Sequence, residues 1–318
     1  MAFVTGSGAS LRIGKETSFG VAVTPKTLVD ITSESIALSV SKGDEGSLLA
    51  SKTPESRDLL GITVDGSFSF VLRPEFAALI THLALGGAEK VTQDESAGTY
   101  KHTFTLCDCN EDLPSLTVLV DRKAAVKSYA GVTISKLSLD CAAGDYVKGS
   151  VDIKGVKEEA GTKSTDAVKF TIPAYRCTSA VFKVGSEVFD ITTASFAVDN
   201  ALEDAPRTYS NGLYAGQPQH AQRSVTISFE IPYSADIETF KSQYLTTEET
   251  AEISLLFTSS DKDKQKYEIK MPYVAIGSVS ASVGGTGALT ASIDGEALSS
   301  GTEEPLTIEI TNTSSTTV

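Results

Sequence analysis

The sequence predicts a mainly β protein made of two tandem copies of one domain, each with a short α-helix on its flank. Three observations predict it. First, Asp30-Ile31-Thr32-Ser33-Glu34-Ser35-Ile36-Ala37-Leu38 returns as Asp190-Ile191-Thr192-Thr193-Ala194-Ser195-Phe196-Ala197-Val198. Second, each copy runs through a long polar loop into an alternating strand, Ile62-Thr63-Val64-Asp65-Gly66-Ser67-Phe68-Ser69-Phe70 and Val225-Thr226-Ile227-Ser228-Phe229-Glu230-Ile231. Third, the vocabulary is that of strands and turns: Ser, Thr, Val and Gly abound and Trp is absent. A repeat of about 140–160 residues is too long for a solenoid unit and has the size of a whole domain. The expected division is 1–160, a first domain with an N-terminal arm, and 161–318, a second with a C-terminal tail.

Taken in chain order, residues 1–27 are small and polar and read as an arm that packs on another surface rather than as core. A first strand is expected over 28–41. The loop 42–60 and its counterpart 199–223 follow, and loops beyond about 12–15 residues are usually functional or disordered. Recurrence in both copies points to a shared task. In the strand 62–71, Ile62, Val64, Phe68 and Phe70 share one face while Thr63, Asp65, Ser67 and Ser69 share the other, so one face is buried and one meets water. Arg73 to Gly87 gives the clearest helix signal, with Pro74 in the first turn and Gly86-Gly87 as the stop. Its counterpart is Ser234 to Tyr244, with Ser234 placed to cap.

Strands follow at 100–107 and 115–122, then a hairpin of 131–141 and 145–154 turning at Ala143-Gly144-Asp145. Its apolar parity slips from Val132 and Ile134 to Leu137, Leu139 and Cys141. One extra residue near Ser135-Lys136 restores the buried face, as a β-bulge does. The second copy closes alike, with strands at 274–283 and 288–296 around Gly284-Gly285-Thr286-Gly287. The hydrophilic stretch 156–168 is the expected junction, and the Ser/Thr-rich tail from 299 reads as a second arm.

The formal charge of −14 excludes binding of nucleic acid through phosphate neutralisation, which needs clustered Lys and Arg. It leaves room for a protein that DNA passes without sticking. No segment approaches the ~18 consecutive apolar residues of a membrane span. Met1 to Gly8 lacks the basic and apolar regions of a secretory signal, which predicts folding in a cytoplasm with Cys107, Cys109, Cys141 and Cys177 as reduced thiols.

Candidate chemistry fails on its own requirements. Cys107-Asp108-Cys109 lacks the second pair of ligands that a tetrahedral metal site needs. Asp261-Lys262-Asp263 begins like a calcium loop, but Lys266 stands where that loop needs Gly and Pro272 where it needs Glu. Gly284 to Gly287 is followed by a strand and no Lys-Ser/Thr, so it is a turn and not a phosphate cradle. His82, His102 and His220 fall on a helix, a strand and a loop with no nucleophile motif beside them. Asn312-Thr313-Ser314 matches a glycosylation sequon that has no meaning without secretion.

The opening Gly14-Lys15-Glu16-Thr17-Ser18-Phe19-Gly20-Val21-Ala22-Val23-Thr24-Pro25, with Asp30 to Ser35 after it, resembles the start of the major tail tube proteins of long-tailed, siphophage-like bacteriophages. Lys101-His102-Thr103-Phe104-Thr105, Pro114-Ser115-Leu116-Thr117-Val118, Ala130-Gly131-Val132-Thr133-Ile134 and Ile269-Lys270-Met271-Pro272-Tyr273-Val274 continue the resemblance in the same order. It implies β-sandwich or half-barrel domains with a flanking helix, whose inner sheets join side by side around a lumen, six domains to a ring. Two domains per chain then imply a pseudo-sixfold trimer. The second copy lacks the Gly-Lys-Glu-Thr-Ser-Phe-Gly opening, which makes the ring threefold in detail. No catalysis and no cofactor are implied. The implied partners are further copies of the chain and tape-measure, terminator and distal tail proteins. Viral DNA passes without specific binding, no membrane is involved, and the place is the virion tail, assembled in the host cytoplasm.

On that reading the water-facing rows line the lumen, with Asp65, Ser67, Ser69, Asp152, Ser228, Glu230, Ser292 and Asp294 as candidates. Their negative charge repels the DNA backbone. Asp44, Glu45, Glu55, Arg57 and Asp58 of the first loop, and Glu203, Asp204, Arg207, Tyr209 and Tyr214 of the second, are candidates to bridge stacked rings. An ordinary outer surface is the alternative for the polar rows, because alternation does not say which solvent a face meets. Other tail components on the same fold, such as a terminator or a contractile-type tube, and a carbohydrate-binding β-sandwich are the alternative functions.

Overall fold

The computed structural model describes residues 5–44, 53, 57–166, 169–204, 207–247, 249–260, 264–281, 289–301 and 303–316. The chain is mainly β, with 55% strand and 8% helix, consistent with a β-sandwich. The strand pairings are antiparallel throughout the named strands.

Two sets of strands repeat one plan. In the first, an inner sheet runs Ala37–Gly43, Asp58–Val71, Lys148–Gly155 and then the C-terminal half of Val126–Ala142. In the second it runs Thr193–Asp199, Ser224–Pro232, Thr290–Ala297 and the C-terminal half of Lys266–Ala281. The N-terminal halves of the two long strands belong to outer sheets. Val126–Ala142 meets Leu116–Asp121 and Lys157–Ala160 there, and Lys266–Ala281 meets Ala251–Thr258 and Thr307–Asn312. Each long strand shifts register once on entering the inner sheet, leaving Ser135 and Gly277 as the extra residues. The bulge expected from the parity slip near Ser135 is therefore present, and it bends the strand from one layer to the other.

The helix Pro74–Leu85 starts with Pro at its first turn and ends at Gly86 in the left-handed conformation, φ 79°. Every residue of it but Glu75 is buried, as a core helix must be. Its counterpart Ala235–Tyr244 buries Ile237 and Phe240 deeply and turns Glu238, Thr239, Ser242 and Gln243 to water. Ser234 takes the N-cap position as expected, but its hydroxyl makes no capping bond.

Several segments differ from the sequence reading. Ser10–Lys15 is not arm but a central strand of the first outer sheet, paired with Thr27–Val29 on one side and Leu116–Asp121 on the other, with Leu11 and Ile13 fully buried. Its six residues are too few to show a period, and its cover comes from residues a hundred positions away. The tail likewise supplies the strand Thr307–Asn312, whose Ile308 and Ile310 lie in the core with Leu306 just before it; Ser and Thr on either side diluted that alternation. The expected first strand is broken into Thr27–Val29, Ile31–Glu34 and Ala37–Gly43. A strand unmarked in the sequence, Lys90–Asp94, forms a hairpin with Thr99–Thr105, the strand expected over 100–107, and Thr99–Thr105 also pairs with Thr307–Asn312 of the second repeat. Glu309 there accepts from Lys101 at 2.9 Å and Lys270 at 2.7 Å, tying three strands together.

Candidate functional site

The two inner sheets do not remain separate. Val126–Ala142 pairs along its C-terminal half with Thr193–Asp199, setting Cys141 opposite Ala194, Leu139 opposite Phe196 and Leu137 opposite Val198. Eight strands thus form one continuous wall. Beneath the seam lies the helix Pro74–Leu85, and the second repeat satisfies its end. Asn200, fully buried, donates through Nδ2 to Ala84 O and Ile134 O, both at 2.9 Å, while Thr81 and Tyr267 join hydroxyls at 3.0 Å. Carbonyls left over at a helix C-terminus need such donors.

The face of the wall turned away from this core is polar across both repeats. All eight residues expected to line a lumen lie on it: Ser67 opposite Asp152, Ser228 opposite Asp294, Glu230 opposite Ser292, with Asp65 and Ser69 in the same rows. Asp65, Asp152 and Asp294 are exposed and the other five half-buried. Ser67–Asp152 and Ser228–Asp294 are the same cross-strand pair in the two repeats. Hydrogen bonds from Ser278, at 2.7 Å, and from Ser228 hold the Asp294 carboxyl below the usual aspartate range. The face is concave over the second repeat, in a hollow lined by Ser195, Thr226, Ser228, Asp294 and Glu296.

The sequence reading missed the lysines of this face. Lys136, Lys148 and Lys154 share it with Asp65, Asp140 and Asp152 of the first repeat, whereas the second repeat contributes Asp199, Glu230, Asp294 and Glu296. At two of these positions the second repeat has uncharged Ser278 and Thr290, and at the third Glu296. The acidity of the wall is therefore concentrated in the second repeat. The signal was available as alternation along 148–154, but the lysines alternate with the same period as the aspartates.

Both ends of the wall are open among the described residues. Ala37–Gly43 pairs on one side only, and residues 275–281 pair with Thr290–Ala297 on one side only. Leu38 and Val40 are 39% and 46% exposed at the first edge.

Of the expected ring-stacking residues, Glu45 and Glu55 lie outside the described residues, and Asp44, Arg57, Asp58, Glu203 and Tyr209 are exposed. The rest of the second loop folds back on the first repeat. Asp204 accepts from Lys154 at 2.7 Å, Arg207 donates to Leu60 O at 3.2 Å, and Tyr214 takes Lys157 over its ring at 5.7 Å. Gln217, Gln219 and His220 bond Leu113 O, Asp112 and Glu111 O in the same way.

The sequence motif Gly14 to Gly20 is built around one carboxylate. Glu16 Oε1 accepts from Thr117 at 2.8 Å and Gly131 N at 2.9 Å, and Oε2 accepts from Ser115 at 2.7 Å and Gly20 N at 2.9 Å. Gly131 and Gly20 both take positive φ, at 63° and 73°. A second clamp joins the edge of the inner sheet to the outer one: Arg122 donates twice to Glu34, both bonds 2.7 Å, and to Ile36 O at 2.7 Å. The guanidinium holds the Glu34 carboxyl below the ordinary range.

Of the residues weighed for chemistry, Cys107 Sγ and His220 Nε2 come within 4.0 Å of each other, while His82 and His102 lie elsewhere. His82 contacts Lys15, His102 contacts Glu89 and Asn312, and His220 bonds Glu111 O. Cys107 is buried against Arg223, and Cys109 is exposed. The segments 261–263 and 284–287 lie outside the described residues.

A duplicated sandwich whose inner sheets fuse into a wall, polar on its concave face and open at both edges, is the build of a structural, self-associating protein. The chain belongs to the phage tail tube protein family, whose family model matches residues 6–297. No curated protein matches it. Membership makes it a structural subunit of the tail tube, a component of the virion tail.

Proposed function

We propose that three chains close into one ring of six repeats, and that rings stack into a tube through which DNA leaves the virion. The observation that carries this reading is the seam. Inside one chain, two inner sheets already join edge to edge with their polar faces in register, and the wall ends in two more open edges. Repeating the same join around a circle removes every exposed edge.

The proposal sets the dimensions. Three chains of eight wall strands supply twenty-four. At about 4.8 Å between strands and a tilt of roughly 40°, the backbone circle is about 48 Å across, and inward side chains narrow it to about 40 Å. Asp65, Ser67, Ser69, Asp152, Ser228, Glu230, Ser292 and Asp294 then line the channel, and their charge keeps a polyanion from adhering. The division at 160/161 gives each chain two tube domains. The loops around Asp44 and Tyr209 meet the next ring, and tape-measure, terminator and distal tail proteins meet the tube's interior and ends. Assembly takes place in the host cytoplasm without catalysis or cofactor.

Negative-stain microscopy of the concentrated protein tests the reading. Rings or tubes with a hole of about 40 Å are expected. A monodisperse monomer that binds glycans contradicts it.

A further inference from the structure

The seam inside the chain has a definite register, and the two inner sheets share one strand order and one bulge, so the open edges have a register as well. Ser135 and Gly277 mark the same bulge in the two long strands. Lys136, Leu137 and Ser138 therefore correspond to Ser278, Val279 and Ser280. On the other side of the seam, Ser195 lies opposite Ser228, while Ser35 bonds Ser67, the equivalent of Ser228. Phe196, Ala197, Val198 and Asp199 thus correspond to Ile36, Ala37, Leu38 and Ser39, the same alignment as the repeated Asp-Ile-Thr sequence.

We propose that neighbouring chains join by copying the internal seam, with Ala37 of one chain opposite Ser280 of the next, Leu38 opposite Val279 and Ser39 opposite Ser278. The occupant of each edge is a second copy of this chain, and the inference rests on the ring proposed above.

Three features favour this register. Leu38 is 39% exposed, whereas its equivalent Val198 is fully buried opposite Leu137; pairing with Val279 covers it in the same way. Val40, two residues further along the same face, is 46% exposed and would be covered alike. On the polar side the partners are small, Ala37 with Ser280 and Ser39 with Ser278, where the internal seam places Ala197 with Ser138 and Asp199 with Lys136. The opposite charges that face each other across the internal seam are thus absent from the intermolecular one.

The hydrogen-bond phase follows too. Asn200 N donates to Ser135 O and Ala143 N to Thr192 O. Residues 192, 194, 196, 198 and 200 therefore occupy hydrogen-bonded pairs, and 195, 197 and 199 occupy the closer, non-hydrogen-bonded ones. By correspondence, Ala37/Ser280 and Ser39/Ser278 are close pairs with side chains facing the channel, where paired cysteines meet most readily.

The test is disulfide trapping in a Cys109→Ser background, since Cys109 is the exposed thiol. Rings of Ala37→Cys/Ser280→Cys, oxidised and run on a denaturing gel, are expected to convert from single chains to a closed covalent trimer. Ser39→Cys/Ser278→Cys should do the same, which guards against one pair being locally disturbed. The slipped combinations Ala37→Cys/Ser278→Cys and Ser39→Cys/Ser280→Cys should stay monomeric on the gel, as should each single variant. Trapping by a slipped pair, or by none of the pairs in rings visible by microscopy, overturns the register while the ring stands. Failure of the unmodified protein to form any ring overturns the ring and the register together.

Discussion

Leu139 lies opposite Phe196 across the seam between the repeats, the two side chains 2% and 1% exposed. They come from strands that belong to different copies of the domain, yet they share one core. The repeats are therefore not beads on a string, and the seam should contribute to the stability of both. Phe196→Ala is expected to destabilise the subunit by about 3–5 kcal/mol. Denaturant unfolding monitored by two probes, one in each repeat, should show a single shifted transition; separate transitions would mean that the repeats fold independently.

Leu38→Ser is the complementary experiment at the open edge. Its side chain is already partly in water in the single chain, so subunit stability should change by no more than about 0.5 kcal/mol. Ring yield in sedimentation should fall markedly. A variant that assembles like wild type would remove Leu38 from the interface.

Glu16 satisfies four donors with one buried carboxylate. Glu16→Ala leaves Gly20 N, Gly131 N and two hydroxyls without it and should cost about 3 kcal/mol or more. Glu16→Gln should fall between the two, because the amide keeps one acceptor. A melting temperature unchanged in Glu16→Ala would show that water replaces the carboxylate without loss.

The Glu34–Arg122 clamp gives the fold an acid-sensitive joint. The folded-state pKa of Glu34 is depressed, first by its hydrogen bond from Arg122. Its contribution is therefore fully present above the ordinary glutamate value and is lost as pH falls through the depressed one. Arg122 is 38% exposed, so screening limits the clamp to about 1 kcal/mol. Glu34→Gln should be less stable than wild type at pH 7 by that amount, and the difference should vanish on acidification below the glutamate range. A difference that persists unchanged at low pH would assign the effect to packing.

Charge reversal tests the channel face. Asp65→Lys with Glu230→Lys is expected to leave rings and tubes intact, since neither residue lies in the core, but to slow DNA delivery from assembled tails. Delivery equal to wild type would show that these residues do not face the DNA path.

Much of this fold was legible in the sequence for local reasons. The helix Pro74–Leu85 announced itself through Pro74 and Gly86, and the bulge at Ser135 through a parity slip of one residue. The eight polar candidates share a face because alternation has a period of two, whatever covers the other side. The seam was not legible. Nothing near Leu139 specifies a partner 57 positions away at Phe196, and edge pairing of this kind is carried by register and core shape, not by local pattern. The same holds for Ser10–Lys15 and Thr307–Asn312, short strands that look like arms until distant strands flank them. The lysines at 136, 148 and 154 were overlooked because net charge summarises a chain and does not say which face carries it.

The central claim is that one chain spans a third of the ring. Native mass spectrometry of isolated single rings measures this directly. The account predicts a mass of three chains, 33.4 kDa each; a ring of six chains would contradict it, because only one repeat of each chain could then belong to the wall.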